Sequence, residues 1–301
     1  MSRFRIKLPA TSANLGAAFD TAAVALDFHL TVEATVAGSW SIEATGRNAD
    51  LCSRLEGNLI LETYAALLTR EGKPVHPLAL TVENQIPLGM GCGSSAAGRL
   101  AAITLAVHFG ELPWDRQRIL AEACLLEGHP DNAAACWLGG MVVAAGSGEA
   151  LNVAQVEPPS AWRALIAMPG ESLATSEARA VLPAEYTRAD VVANIQAASL
   201  LGLAFAQGRG DLLRAAMADR IHQPYRAAIC PLLPPLIPLA GQSGILGAAL
   251  SGAGPSVLLV VDADRTAEAR NAVAKALAGV APAELLEASF SPGGGAAFWR
   301  K

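Results

Sequence analysis

Pro87-Leu88-Gly89-Met90-Gly91-Cys92-Gly93-Ser94-Ser95-Ala96-Ala97 alternates three glycines with larger residues, then sets two hydroxyls ahead of an apolar run. Glycine carries no Cβ, so the backbone reaches positive φ and lies close to a ligand, letting successive amides converge on an anion. A strand over Leu78–Ile86 leads into the loop. Ser94 or Ser95 is expected to cap a helix over Ala96–Phe109, whose start adds partial positive charge and free N–H groups. The simplest ligand for such a strand–loop–helix is a polyphosphate; a flexible turn stays open on this stretch alone. No Gly-Lys-Ser/Thr follows at the Walker spacing, and the glycines fall at every second position, so neither common nucleotide fingerprint applies. A loop without its own lysine needs Mg²⁺ for positive charge, held by Ser94 or Ser95 and a carboxylate. Glu127 and Asp131, in a polar turn, are the nearest in sequence.

Upstream, Arg3–Leu8 alternates charged and apolar residues as a half-buried strand, and Pro9–Asp20 breaks that pattern as a loop of small polar residues ending in an acid. Strands are expected at Ala22–Phe28, Leu30–Val36 and Trp40–Ala44, and a helix capped by Asn58. Downstream, a helix over Asp115–Glu127 ends in the turn Glu127-Gly128-His129-Pro130-Asp131-Asn132, and Gly139–Ala144 closes this half as a strand. The polar, proline-bearing stretch from Ser147 to Ser160 reads as a domain boundary. Beyond it come a strand at Trp162–Met168, an irregular segment holding Thr175 and Arg179, and helices over Ala189–Gln207 and Asp211–Arg220. The first of these helices is apolar through Val192, Ile195, Ala198 and Leu201, which suits core or interface equally. The closing strand–loop–strand, helix and strand (Leu246 to Phe290) have the order of a ferredoxin-like sandwich. Because the helices come in consecutive pairs, two α+β domains are favoured over a doubly wound fold.

The bulk numbers set limits on function. The 301 residues are 52% apolar and 16% charged, enough for a substantial core. A net charge of −5 without a basic block argues against a nucleic-acid partner. Five cysteines without C-x-x-C, and five histidines without H-x-x-x-H, argue for free thiols in a reducing compartment and against a zinc site. A mean hydropathy of +0.35 raises the membrane question. No run of about 18 uncharged apolar residues occurs, and Met1–Lys7 reads as a charged strand, so no membrane partner and a cytoplasmic location are expected.

Pro9–Asp20, Pro87–Ala97 and Ser251–Ser256 together resemble, in order, the three motifs of the GHMP small-molecule kinases. The first loop, the Glu127–Asn132 turn and His222-Gln223-Pro224-Tyr225-Arg226 resemble the homoserine kinase branch, and the similarity spans nearly the whole chain. The resemblance implies a two-domain α+β fold: a ribosomal S5-like α/β domain over residues 1–155 and a ferredoxin-like domain over 156–301. It implies transfer of the ATP γ-phosphate to the side-chain hydroxyl of L-homoserine, with Mg²⁺, in a homodimer. By motif position Asn14, Asp20, His129, Asn132, Thr175, Arg179 and Arg226 would surround the amino acid, with His129, Asp131 and Asn132 nearest the chemistry. The residue types agree: a zwitterion needs a carboxylate (Asp20) for its ammonium and guanidinium groups (Arg179, Arg226) for its carboxylate. The cradle Pro87, Leu88, Gly89, Met90, Gly91, Cys92, Gly93, Ser94, Ser95, Ala96 and Ala97 would hold the triphosphate, Asn58 would lie near the adenine, and Ser94, Ser95 and Glu127 would meet Mg²⁺.

In mevalonate-kinase-like relatives an aspartate near this turn is the proposed base. In the homoserine branch that role is left empty and Asn132 positions the substrate, which a loose phosphoryl-transfer transition state tolerates. The chain departs from the family pattern in three places. Ala17-Ala18 replaces a glycine before Phe19-Asp20, an oxidisable Cys92 replaces leucine, and Ala133-Ala134-Ala135 replaces Val-Ala-Pro. A related kinase acting on L-threonine or a mevalonate-type alcohol, and a non-catalytic sensor on the same fold, are the alternatives.

Overall fold

The computed structural model describes residues 3–299. β1 (Arg3–Ala13) buries Phe4, Ile6 and Leu8 as the alternation predicts, then continues five residues past Leu8. A register shift between Pro9 and Ala10 lets a proline sit in the strand without donating to the ladder. The first half of the expected Pro9–Asp20 loop is therefore strand. β1 pairs antiparallel along β2 (Ala22–Val36), one strand where the sequence predicted two. β3 (Ser41–Gly46), α1 (Ala49–Cys52), α2 (Leu59–Arg70) and β4 (Leu78–Asn84) follow. The Asn58 side chain accepts from the amides of Ile60 and Leu61, the cap that the sequence predicts.

α3 (Ser94–Phe109) is the central helix, with every residue from Leu100 to Val107 buried. Its N-cap is Gly93, with no side-chain cap, so Ser94 and Ser95 lie inside the first turn and do not cap the helix. α4 (Arg116–Glu127) is capped by Asp115. α5 (Asp131–Leu138), where the sequence reading has a turn ending at Asn132 and no element before the strand at Gly139, buries Ala133, Ala134, Ala135, Cys136 and Trp137. β5 (Met141–Ala145) and β6 (Asn152–Val156) complete the first sheet, so part of the expected polar boundary is an edge strand. The sheet order is β3-β4-β2-β5-β6, with β1 on β2.

The second sheet holds β7 (Trp162–Pro169), and the chain then forms α6 (Thr175–Ala180), α7 (Arg188–Gln207), α8 (Leu213–Ala216), α9 (Gln223–Arg226) and α10 (Leu233–Leu236). The helix expected over Asp211–Arg220 stops at Ala216, because the Asp219 carboxylate takes the amides of Ile221, His222 and Gln223 and turns the chain. β8 (Ile245–Leu250), β9 (Val257–Asp262), α11 (Thr266–Leu277), β10 (Ala283–Ala288) and α12 (Gly295–Phe298) end the chain. The order β10-β7-β9-β8, all antiparallel, is that of a ferredoxin-like sandwich. Alternate residues of β9 face opposite cores. Val257, Leu259 and Val261 pack with α11, whereas Leu258 and Val260 join the core of the first sheet. Burial on both faces explains its unbroken apolar run.

The chain then recrosses. The Asp27 amide donates to Ser289 O and the Ser291 amide to Ala25 O, so residues 289–291 fill the stretch of β2 between its pairings with β4 and β5. α7 is long and apolar enough, by length and composition, to cross a membrane. Its inner face (Asn194, Ala197, Leu201, Ala204, Phe205) is buried against protein, while Val192 and Ile195, on the stripe expected to serve as core or interface, are 47% and 59% exposed.

Candidate active site

The three sequence motifs meet through backbone and hydroxyl groups. The Thr11 amide donates to Cys92 O, the Gly252 amide to Ala13 O, and the Asn14 Nδ2 to Gly252 O at 2.8 Å. Ser251 Oγ lies 2.8 Å from Ser12 Oγ and 2.7 Å from Gly91 O, joining first, second and third motifs at one buried hydroxyl. This crowding requires the glycines. A Cβ on Gly91 would drive into the Ser251 carbonyl oxygen, and one on Gly93 into Thr11 Oγ1. Both hold φ near +70° (71° and 70°), a region that disfavours other residues.

Within this frame the loop leads straight into the uncapped start of α3, whose first turn carries no acidic residue. The free amides and helix dipole make a cradle for an anion. The loop lines a cavity of about 590 Å³. Leu88, Gly89, Gly91, Cys92, Gly93, Ser94 and Ser95 reach its wall. Pro87, Met90, Ala96 and Ala97 do not reach the cavity; Ala96 and Ala97 are fully buried in α3. The Cys92 side chain is 1% exposed, and burial pushes its thiol up to about 12, so the expected oxidisable group is inert.

One wall of the cavity, from α1, α2 and β4, is apolar through Leu51, Leu59, Ile60 and Val82, with Asn58 and Asn84 among them. Asn58, expected beside the adenine, lines this wall, with its side chain already engaged in capping α2. On the far side of the loop, Ser95 Oγ donates to Glu127 Oε1 at 2.7 Å. Of the two serines left open by the sequence, Ser95 meets the carboxylate. Arg99, one turn on from Ser95, pairs with the same oxygen at 3.0 Å, at an angle too poor for a hydrogen bond. A hydroxyl and a carboxylate oxygen form a hard donor set that suits Mg²⁺.

The opposite wall is charged. Asp20 and Arg179 form a bidentate pair at 2.7 and 3.0 Å, both about one-third exposed. The two residues expected to take opposite ends of a zwitterion therefore hold each other. Thr175 opens α6 on the same wall. Arg226 is 1% exposed, and both guanidinium groups lie over the Phe19 ring at 5.4 Å. Burial, and then Arg179, hold the Arg226 guanidinium below its ordinary value. Asn14, expected as a substrate ligand, lines the cavity but spends its amide on the loop: Oδ1 accepts from the Asp20 amide and Nδ2 donates to Gly252 O.

At the start of α5, Asp131 Oδ1 accepts from His129 Nδ1, from the Asn132 amide and from Asn132 Nδ2, at 2.7, 2.6 and 3.3 Å. The carboxylate is 1% exposed and serves as the hub of its turn. Burial pulls the His129 imidazole down, but the hydrogen bond and charge of Asp131, with Asp20 and Glu127 beyond, hold it above the usual histidine value. The buried Thr11 hydroxyl donates to Asn132 Oδ1 at 2.6 Å, and Asn132 lines the cavity beside Gly93. Sequence reasoning passed over Thr11, Phe19 and Arg99. Thr11 and Phe19 lie inside the quoted first motif, and Arg99 falls four residues after Ser95 on one helix face. The α1 wall had no comparable signal.

Comparison with known proteins adds a second line. Residues 58–140 match the GHMP kinases N terminal domain and residues 203–279 the GHMP kinases C terminal domain. A homoserine kinase from Solibacter usitatus is 43% identical over 259 residues, covering 86% of this chain and 85% of the other. One from Deinococcus radiodurans is 38% identical over 86% of this chain and 84% of its own. The crystal structure of homoserine kinase from Cytophaga hutchinsonii superposes with a TM-score of 0.81 at 23% identity, over 98% of this chain and 96% of that one.

Proposed function

The chain belongs to the GHMP kinases and is an ATP-dependent small-molecule kinase, and from that premise we propose that its acceptor is the side-chain hydroxyl of L-homoserine. The observation that carries the proposal is the meeting, in one cavity, of an anion cradle with an Asp20, Arg179 and Arg226 cluster around Phe19. A mevalonate-type alcohol lacks the ammonium that would occupy Asp20.

The binding step exchanges ion pairs. The substrate ammonium takes Asp20 while its carboxylate takes Arg179 and the neighbouring Arg226. Opening the Asp20–Arg179 pair costs about 1 kcal/mol or less, because both groups are partly in water. An anion set between two guanidiniums also relieves the repulsion that holds Arg226 down. The triphosphate of ATP lies on the amides of Gly89–Ser95 and the start of α3, and its base against the α1–α2 wall. Ser95 and Glu127 would hold Mg²⁺, which neutralises phosphate charge in phosphoryl transfer.

In the chemical step the hydroxyl oxygen forms a bond to the γ-phosphorus as the bond to the bridging oxygen breaks, and the hydroxyl proton leaves with the products. Asn132, with Oδ1 held by Thr11, offers the cavity an N–H donor, which aligns and polarises without accepting the proton. Asp131 Oδ1 is already shared among three donors. Alignment and charge neutralisation thus carry the reaction here.

The exposed apolar stripe of α7, including Val192, Ile195 and Leu203, supports assembly as a homodimer, and the free cysteines support a reducing cytoplasmic setting. An ADP-release assay with homoserine, threonine and mevalonate in turn tests the function. Homoserine is expected to give the largest kcat/KM, and turnover on mevalonate alone would overturn the reading.

A further inference from the structure

His222 has no exposed surface and lies at the start of α9, between the first loop and Arg226. Its two ring nitrogens have partners that leave no choice of role. Nε2 is 2.9 Å from Gly16 O, a carbonyl that can only accept, so Nε2 carries the proton. Nδ1 is 3.1 Å from Arg226 Nη1, a guanidinium nitrogen that can only donate, so Nδ1 offers its lone pair. The ring is therefore a neutral imidazole in one tautomer, and burial, together with Arg226, holds its pKa below the ordinary value against the Asp219 carboxylate 3.6 Å from Nε2. Its backbone is fixed by Asp219, whose Oδ2 accepts from the amides of His222 and Gln223 at 2.9 and 2.6 Å. Its face stacks on Phe19, with centroids 5.1 Å apart and planes 28° apart.

The donors of Arg226 can be assigned in turn. Nε donates to Ala178 O at 2.9 Å; Nη1 donates to His222 Nδ1 and, at 3.4 Å, faces Gly252 O. Among the described residues Nη2 has no protein partner, and Arg226 lines the cavity. We propose that His222 is the positioning residue for Arg226, its Nδ1 lone pair aiming the guanidinium at the substrate carboxylate and its Nε2–H tying that aim to the first loop at Gly16. This rests on the reading that Arg226 receives the substrate carboxylate.

Two conservative substitutions separate the two nitrogens, since an asparagine carbonyl oxygen reproduces the acceptor at Nδ1 and a glutamine amide reproduces the donor at Nε2. The ADP-release assay is run with saturating ATP and varied homoserine. His222→Phe keeps the stacking ring and removes the acceptor, and is expected to raise KM for homoserine about tenfold with KM for ATP unchanged. His222→Asn is expected to recover most of that loss, and His222→Gln to stay close to His222→Phe. Combined with Arg226→Ala, His222→Phe is expected to add no further loss in KM. Equal recovery by asparagine and glutamine, or a parallel rise in KM for ATP, overturns the proposal, and this comparison stands even if the phenylalanine variant does not fold. A rise with Arg226→Ala but none with any His222 variant overturns the positioning role alone. No rise with Arg226→Ala overturns the carboxylate reading beneath it.

Discussion

Thr11 and Asn132 are 121 positions apart in sequence and share one hydrogen bond of 2.6 Å, with the Thr11 side chain wholly buried. Because the Thr11 hydroxyl has no other partner among the described residues, its proton goes to Asn132 Oδ1 and decides which half of that amide faces the substrate. Thr11→Val keeps the shape and removes the proton. Turnover is expected to fall roughly tenfold, and Asn132→Ala, which removes the amide itself, should cost more, about 100-fold. Single-turnover rates at saturating substrates check both. At this scale the residue types that bind charge were legible: Asp20, Arg179 and Arg226 do converge. Their partnerships were not, because an ion pair between Asp20 and Arg179 depends on how the first loop folds against the distant α6. Cys92 was legible as a small residue but not as an inert one, since its reactivity is set by burial.

At the scale of elements, the loop Gly89–Gly93 was legible as a strand-to-helix turn from its alternating glycines, and α3 because its apolar run is long. α5 was not, since Pro130-Asp131-Asn132 carries every sign of a turn; the signal for helix was the alanine run Ala133–Ala135, among the best helix formers. β6 was hidden for the opposite reason, as a short edge strand with no fully buried residue, set inside a stretch that reads as polar and proline-bearing. The loop also shows why its glycines are not equivalent. A side chain at Gly93 would strike Thr11 and crowd Asn132, damaging ATP and acceptor handling together, whereas one at Gly91 meets only the third motif. Gly91→Ala is therefore expected to raise KM for ATP at least tenfold, to leave KM for homoserine within about twofold, and to destabilise the fold by about 1–3 kcal/mol. Initial-rate kinetics and urea unfolding give these values.

At the scale of the whole molecule, α7 presents two faces of different character. Phe205 is 1% exposed and stacks edge-on with Trp162 at 5.4 Å, so Phe205→Ala is expected to cost about 3–5 kcal/mol in thermal or urea unfolding. Ile195 on the outer face is 59% exposed, and Ile195→Glu should leave the folded subunit intact while shifting any dimer towards monomer in sedimentation velocity. Hydropathy could not assign these faces, because the helix is apolar almost all round. Nor could local patterning foresee that residues 289–291 return to β2, a pairing across more than 250 positions. The consequence of that return lies in the order of synthesis. β2 is made early, and the backbone partners of Ala25 and Asp27 follow more than 250 residues later. That stretch of the nascent first sheet stays unmatched while the second domain is made, so completion of the fold comes as a late step that depends on residues 289–291 emerging.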